Sequence, residues 1–151
     1  MCRIFKNRFP RIPFTDNSQT FEELSQLGFT LVQMHLLNQL PQGGDYLGMG
    51  AYKGDDDNVV NKPLFSAYPP PHNQGGIGRL YINAKQYFDN VPEAVYNFHI
   101  GGYQVLDKYL KDRKTRTLTI DEIENVENVV KVLAFTIKQM EQIDMLTTDW
   151  I

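Results

Sequence analysis

The sequence predicts an α+β fold: a small antiparallel or mixed sheet packed with three main helices. Three observations carry that expectation. Two capping boxes, Thr20–Glu23 and Thr119–Glu122, each precede apolar residues at helical spacing. Two short β-rich segments lie between turn-rich connections. The 151 residues, 42% hydrophobic with 9 Phe and 8 Tyr, suffice for one packed core. Length therefore predicts a single domain over 16–151, led in by an extended arm over 1–15.

The arm contains Pro10 and Pro13 in the run FPRIPF, which disfavours helix. Its basic, aromatic, proline-punctuated character reads as the continuation of something upstream. A helix near 20–39 follows, with Thr20 as N-cap and Glu23 reaching back. Phe21, Leu24, Leu27, Leu31, Met34 and Leu37 recur along it until Pro41 and Gly43-Gly44 end it. Residues 41–58 are dense in Gly and Asp and read as loop.

Strands are expected around 58–66 and 79–83, paired with each other. In the second, Leu80 and Ile82 alternate with Arg79 and Tyr81. The run AYPPPHNQGGIG connects them, and Pro63 belongs at a bulge or sheet edge. Residues 87–100 read as a helical turn after Pro92, then an extended piece. Gly101-Gly102 breaks the pattern before a helix over 103–113 that packs Tyr103, Leu106 and Leu110. The last helix, over 120–144, follows from Ile123, Val126, Val130, Leu133, Ile137 and Met140 at alternating three- and four-residue spacing. Glu127, Lys131, Lys138 and Glu141 fall on its wet side.

Composition excludes several classes. Cys2 is the single cysteine, so no internal disulfide forms, and no Cys/His spacing suits zinc. No apolar run approaches the roughly 18 residues of a membrane span, and the start lacks a signal-peptide core, so a cytoplasmic location is expected. The net charge of −3 gives no global attraction to nucleic acid, but it is an average. Arg3, Lys6, Arg8 and Arg11 open the chain without an acid. Lys108, Lys111, Arg113, Lys114 and Arg116 outnumber Asp107 and Asp112 in a second basic segment. Acid collects in Asp55-Asp56-Asp57 and at the start of the last helix, where the helix dipole favours it.

Catalytic motifs are absent. His35, His72 and His99 stand near no Ser or Cys activating motif. The DDDN run lacks the alternating ligand spacing of a calcium loop, so no metal is expected. The glycines of YLGMGAYKG lack the strand before and helix after that a nucleotide turn requires. Tyr68-Pro69-Pro70-Pro71 has Tyr where an amino-methylating motif needs Asp, Asn or Ser. The chain is read as no enzyme by itself.

One set of blocks is more specific. It runs from Arg79-Leu80-Tyr81-Ile82-Asn83 through Tyr87-Phe88 and Val91-Pro92-Glu93. It continues through Ile100-Gly101-Gly102-Tyr103-Gln104-Val105-Leu106 to Leu110-Lys111-Asp112-Arg113. With Phe9–Phe14, Leu27-Gly28 and His35-Leu36-Leu37 in order ahead of them, these blocks resemble the C-terminal specificity domain of Type ISP restriction-modification enzymes and related adenine DNA methyltransferases. The resemblance implies target recognition on double-stranded DNA by 16–151. It also implies that upstream methyltransferase, helicase and nuclease domains use S-adenosylmethionine and ATP, with no cofactor in this chain. The acidic loop and the PPPHNQGG connection lie outside the shared blocks.

A recognition module holds phosphates with Lys and Arg and reads base edges with polar side chains. Asn83, Lys85, Gln86 and Gln104 are the candidate readers, though Asn83 could instead cap the next turn. Gly101 and Gly102 would let the backbone approach a phosphate, or simply make a tight turn. Lys108, Lys111, Arg113, Lys114 and Arg116 form the candidate basic stripe. Two rival readings stand beside this one. The chain could be a docking module that stabilises a methyltransferase core without reading DNA, or a small enzyme using His35 or His72.

Overall fold

The computed structural model describes residues 15–71 and 76–148. Residues 1–14 of the arm and His72 lie outside the described residues. The contacts group the chain into two compact units. One comprises Met1–Gln39 with Thr136–Ile151, the other Leu40–Phe135.

In the first unit, α1 spans Ser18–His35. Its N-cap is Asn17 rather than Thr20. Asn17 Oδ1 accepts from the backbone N–H of Gln19 at 2.9 Å and of Thr20 at 3.1 Å, so Thr20 is already inside the helix. The helix also ends before the expected Pro-Gly stop. Leu37 adopts φ 55°, and the N–H groups of Leu37 and Asn38 return to the carbonyls of Met34 and Gln33. That closure normally uses glycine, so a leucine there gives no sequence signal. Met34 is buried, and His35 Nε2 lies 2.8 Å from Thr136 Oγ1.

The second unit is built on a four-stranded antiparallel sheet in the order β1-β4-β3-β2, with β1 Tyr52–Lys53, β2 Leu64–Ala67, β3 Ile77–Tyr81 and β4 Tyr87–Pro92. The expected pairing of the two β-rich segments holds, with Phe65 opposite Leu80 and Ser66 opposite Arg79. Pro63 precedes the edge strand β2, where its missing N–H costs no ladder bond. Two strands were hidden in the sequence. β1 sits inside the glycine-rich stretch, and β4 contains Asp89 and Asn90, poor strand formers that create a register shift with Asn90 at φ 53°.

After β4 come one helical turn, α2 Glu93–Tyr96, and a small hairpin of β5 His99–Ile100 and β6 Tyr103–Gln104. α3 then spans Val105–Lys111, two residues later than expected. α4 runs from Ile120 to Leu146 and supplies its last turns, from Thr136, to the first unit. Its capping box is as predicted: Glu122 N–H donates to Thr119 Oγ1 at 3.2 Å, and Thr119 N–H to Glu122 Oε2 at 3.1 Å. Leu80 and Phe88 from the sheet, Leu106 and Leu110 from α3, and Val126 and Val130 from α4 are all buried. Each contributes about 1.5–3 kcal/mol of apolar burial. Glu127 is not on a wet face: Oε1 accepts the Tyr52 N–H at 2.8 Å, tying α4 to β1.

Candidate nucleic-acid interface

The basic segment after Gln104 is largely neutralised within the chain. Lys108 pairs with Asp112, and Lys111 with Asp107 at 2.7 Å, each one helical turn apart. Arg113 donates from Nε to Glu122 at 2.9 Å and from Nη1 to the Tyr109 carbonyl at 3.0 Å. Its guanidinium lies 3.5 Å from the Tyr109 ring centre. Arg116 shares Glu122 at 3.0 Å. The Thr119 N–H, together with Arg113 and Arg116, holds the Glu122 carboxyl below its usual range. The run therefore fastens α3 to the start of α4. Of its five cations, Lys114 makes no ion pair among the described residues.

The candidate readers divide by burial. Asn83 is 8% exposed and Gln86 1%. Asn83 Oδ1 accepts the N–H groups of Lys85 and Gln86, while its amide donates to the Val59 carbonyl and Gln86 Oε1. Gln86 in turn bonds both the backbone N–H and the side chain of Asn58. Asn83 thus caps the β3–β4 turn, and both amides are buried in internal hydrogen bonds rather than facing solvent. Spacing alone could not reveal this, because an Asn and a Gln in a turn look the same whether wet or buried. Beside them Gly54, at φ 97°, lies so close to the Lys85 carbonyl that a Cβ would overlap it at 2.2 Å.

Gly101 and Gly102 make the two-residue turn of the β5–β6 hairpin, with Gly101 at φ 60°. Tyr103 is 64% exposed rather than packed, because it belongs to the hairpin and not to α3. Gln104 spends its amide on the Tyr96 carbonyl at 2.5 Å. Ile100, Tyr103, Tyr109 and Val129 contribute to an apolar groove of about 440 Å³.

Four lysines are carried by segments whose backbones meet at the end of the sheet marked by the β3–β4 turn. Lys53 ends β1 opposite Tyr87, and Lys62 donates its N–H to the Ile82 carbonyl. Lys114 bridges to Val60, whose neighbour Asn61 also bonds the Ile82 carbonyl. Lys85 sits in the turn itself, with one loose contact to Asp56 at 3.4 Å. Lys53, Lys62 and Lys114 are exposed and make no ion pair among the described residues. Lys53 and Lys62 escaped the sequence reading because they come from separate segments, 53 and 62, each isolated among neutral or acidic neighbours. The acidic loop lies at the same end, where Asp57 accepts the Val59 N–H at 2.9 Å. Next to it, burial and then Asp57 push the Tyr52 hydroxyl up to about 12.

His35 meets Thr136, and His99 Nδ1 lies 2.6 Å from the Asn97 carbonyl. Among the described residues no three His, Cys, Asp or Glu side chains could hold a metal ion, and no helix is long and apolar enough to cross a membrane.

Residues 4–142 match the family model of the Type ISP C-terminal specificity domain. The chain belongs to that family. The specificity domain therefore confirms the resemblance carried by the blocks between Arg79 and Arg113. No curated protein sequence matches it. A solved structure with a similar fold is a nuclease-deletion mutant of the Type ISP restriction-modification enzyme LlaGI, in complex with a DNA substrate mimic. The match covers 93% of this chain at 18% identity, with a TM-score of 0.50, and spans 11% of that chain.

Proposed function

We propose that this specificity domain recognises double-stranded DNA for a restriction-modification adenine methyltransferase, anchoring phosphates through Lys53, Lys62, Lys85 and Lys114. The observation that carries this reading is their convergence at one sheet end while most of the longer basic run is taken up by carboxylates. An exposed cation without an internal partner loses little on meeting a phosphate and releases a counterion from the duplex. Arg116, 57% exposed at its side chain, can turn toward the same phosphates at the cost of its bond to Glu122. Methyl transfer and translocation, with S-adenosylmethionine and ATP, belong to other domains of the cytoplasmic parent enzyme, and this chain contributes no catalytic group.

A duplex titration of the full chain at low ionic strength tests the reading. Salt-sensitive binding is expected, and its loss on replacing Lys53, Lys62 and Lys114 by Gln. Absence of binding to any duplex would overturn it.

A second activity, docking onto a neighbouring domain, has its own support. α1 leaves Phe21, Phe29, Val32 and Leu36 more than half exposed among the described residues. Replacing Phe29 and Leu36 by Ser is expected to weaken association with a separately produced methyltransferase domain without changing duplex affinity.

A further inference from the structure

The two faces of the sheet differ. Leu80 and Phe88 point into the core, so the alternate residues Arg79, Tyr81, Tyr87 and Asp89 lie on the opposite, outer face. In register with them are Leu64, 57% exposed, and Lys53 at the edge. At the centre of this face Arg79 is clamped. Its Nε donates to Asp89 Oδ1 at 3.1 Å, and its guanidinium lies 4.6 Å from the Tyr87 ring centre and 5.5 Å from that of Tyr68. Tyr68 donates its hydroxyl to the same Asp89 oxygen at 2.5 Å and accepts the Asn90 N–H at 3.2 Å, so the carboxylate is itself held.

We propose that this outer face reads base sequence in the major groove of double-stranded DNA, with Arg79 as the specificity-determining side chain. The inference rests on the DNA-recognition reading above and deepens it. Arg79 keeps 40% of its side chain exposed; Asp89 takes its Nε, and the guanidinium also lies in hydrogen-bonding contact with the hydroxyls of Tyr81 and Tyr68, which fix its plane. A planar fork held in one orientation is what bidentate bonding to guanine O6 and N7 requires, because its ordering has been met before the DNA arrives. Arg113 is less accessible, with 22% of its side chain exposed. Strands enter the major groove in several DNA-binding folds, and the groove is wide enough for a two-stranded ribbon such as β3–β4. The face is also continuous with the proposed phosphate anchor: Lys53 stands opposite Tyr87, and Tyr81 is the last residue before the turn that carries Lys85. DNA is favoured as occupant over an acidic peptide because a group of exposed lysines adjoins one end of the face, where a phosphate strand would run beside the reader.

The test uses the full chain and a pool of 30-base-pair duplexes with a randomised centre, selected for binding at low ionic strength and sequenced. Arg79→Lys keeps the charge and loses the fork. It is expected to retain pool affinity within about three-fold, and to lose about ten-fold or more of the preference for guanine at one or two positions. Tyr68→Phe, which keeps the ring and removes the hydroxyl that braces Asp89, is expected to weaken the same preference by a smaller factor. Thermal melting accompanies each variant. A role confined to holding the Asp89–Asn90 bulge predicts a lower melting temperature with an unchanged motif, and that result overturns the proposal. Binding by the unaltered chain with no enriched motif overturns it too while leaving the DNA-binding reading intact. No binding at all overturns both.

Discussion

The basic run after Gln104 and the lysines at the sheet end carry the same kind of charge and do different work. In the run, Lys108, Lys111, Arg113 and Arg116 each have a carboxylate, and Glu122 alone takes two of the arginines. At the sheet end, Lys53, Lys62 and Lys114 come from separate stretches, the third far along the chain from the other two, and make no ion pair among the described residues. Density of charge along a sequence is thus a poor guide to a binding face. What matters is whether the fold has already supplied the counter-charge.

The contrast can be broken from several sides. The largest effect is expected at the turn that assembles the lysines. Gln86→Ala removes three side-chain bonds at a 1%-exposed position and leaves the Asn58 backbone N–H and one Asn83 amide hydrogen unpaired. A loss of about 3 kcal/mol in urea unfolding is expected. Next, the Lys53, Lys62 and Lys114→Gln triple variant is expected to weaken duplex binding on the order of 30-fold at low salt. It should also flatten the log–log salt slope by about 2 to 3. An unchanged slope would show that these lysines meet no phosphate.

Glu122→Gln probes the other side. Its folded carboxyl titrates below the reference value of 4.5, so the charged form favours the fold. That contribution is complete above about pH 4.5 and is lost as pH falls through the lower folded value. The variant is expected to be about 1–2 kcal/mol less stable at neutral pH, and to melt with a weaker dependence on pH below 4.5 than the parent. Smaller still, Asp55→Asn with Asp56→Asn removes acid beside the lysines and should tighten duplex binding about three-fold at low salt, an effect erased near 1 M salt. The smallest change is expected from Lys108→Ala and Lys111→Ala. Exposed i,i+4 pairs add little, so melting temperature should hold and duplex affinity should stay within about two-fold.

Legibility followed the range of the interaction. α4 and its capping box were readable because a cap and an apolar face are local: Thr119, Glu122, Val126 and Val130 lie within a dozen residues. The β2–β3 pair was readable from alternation. β4 was not, because Asp89 and Asn90 sit in a strand only through the bulge that Arg79 and Tyr68 hold. Asn83 and Gln86 look like available polar contacts in the sequence for a similar reason. Their partners, Asn58 and Val59, are more than twenty residues away, and nothing in the turn announces them.

By itself, then, the sequence determined the α+β class, the placement of three helices and the family, since ordered blocks and helical periodicity survive without knowledge of contacts. Only the tertiary structure decided which polar residues are spent inside and which remain available. Burial and pairing depend on segments far apart in the chain, and a net charge of −3 or a run of five cations contains no record of where the counter-charges fold.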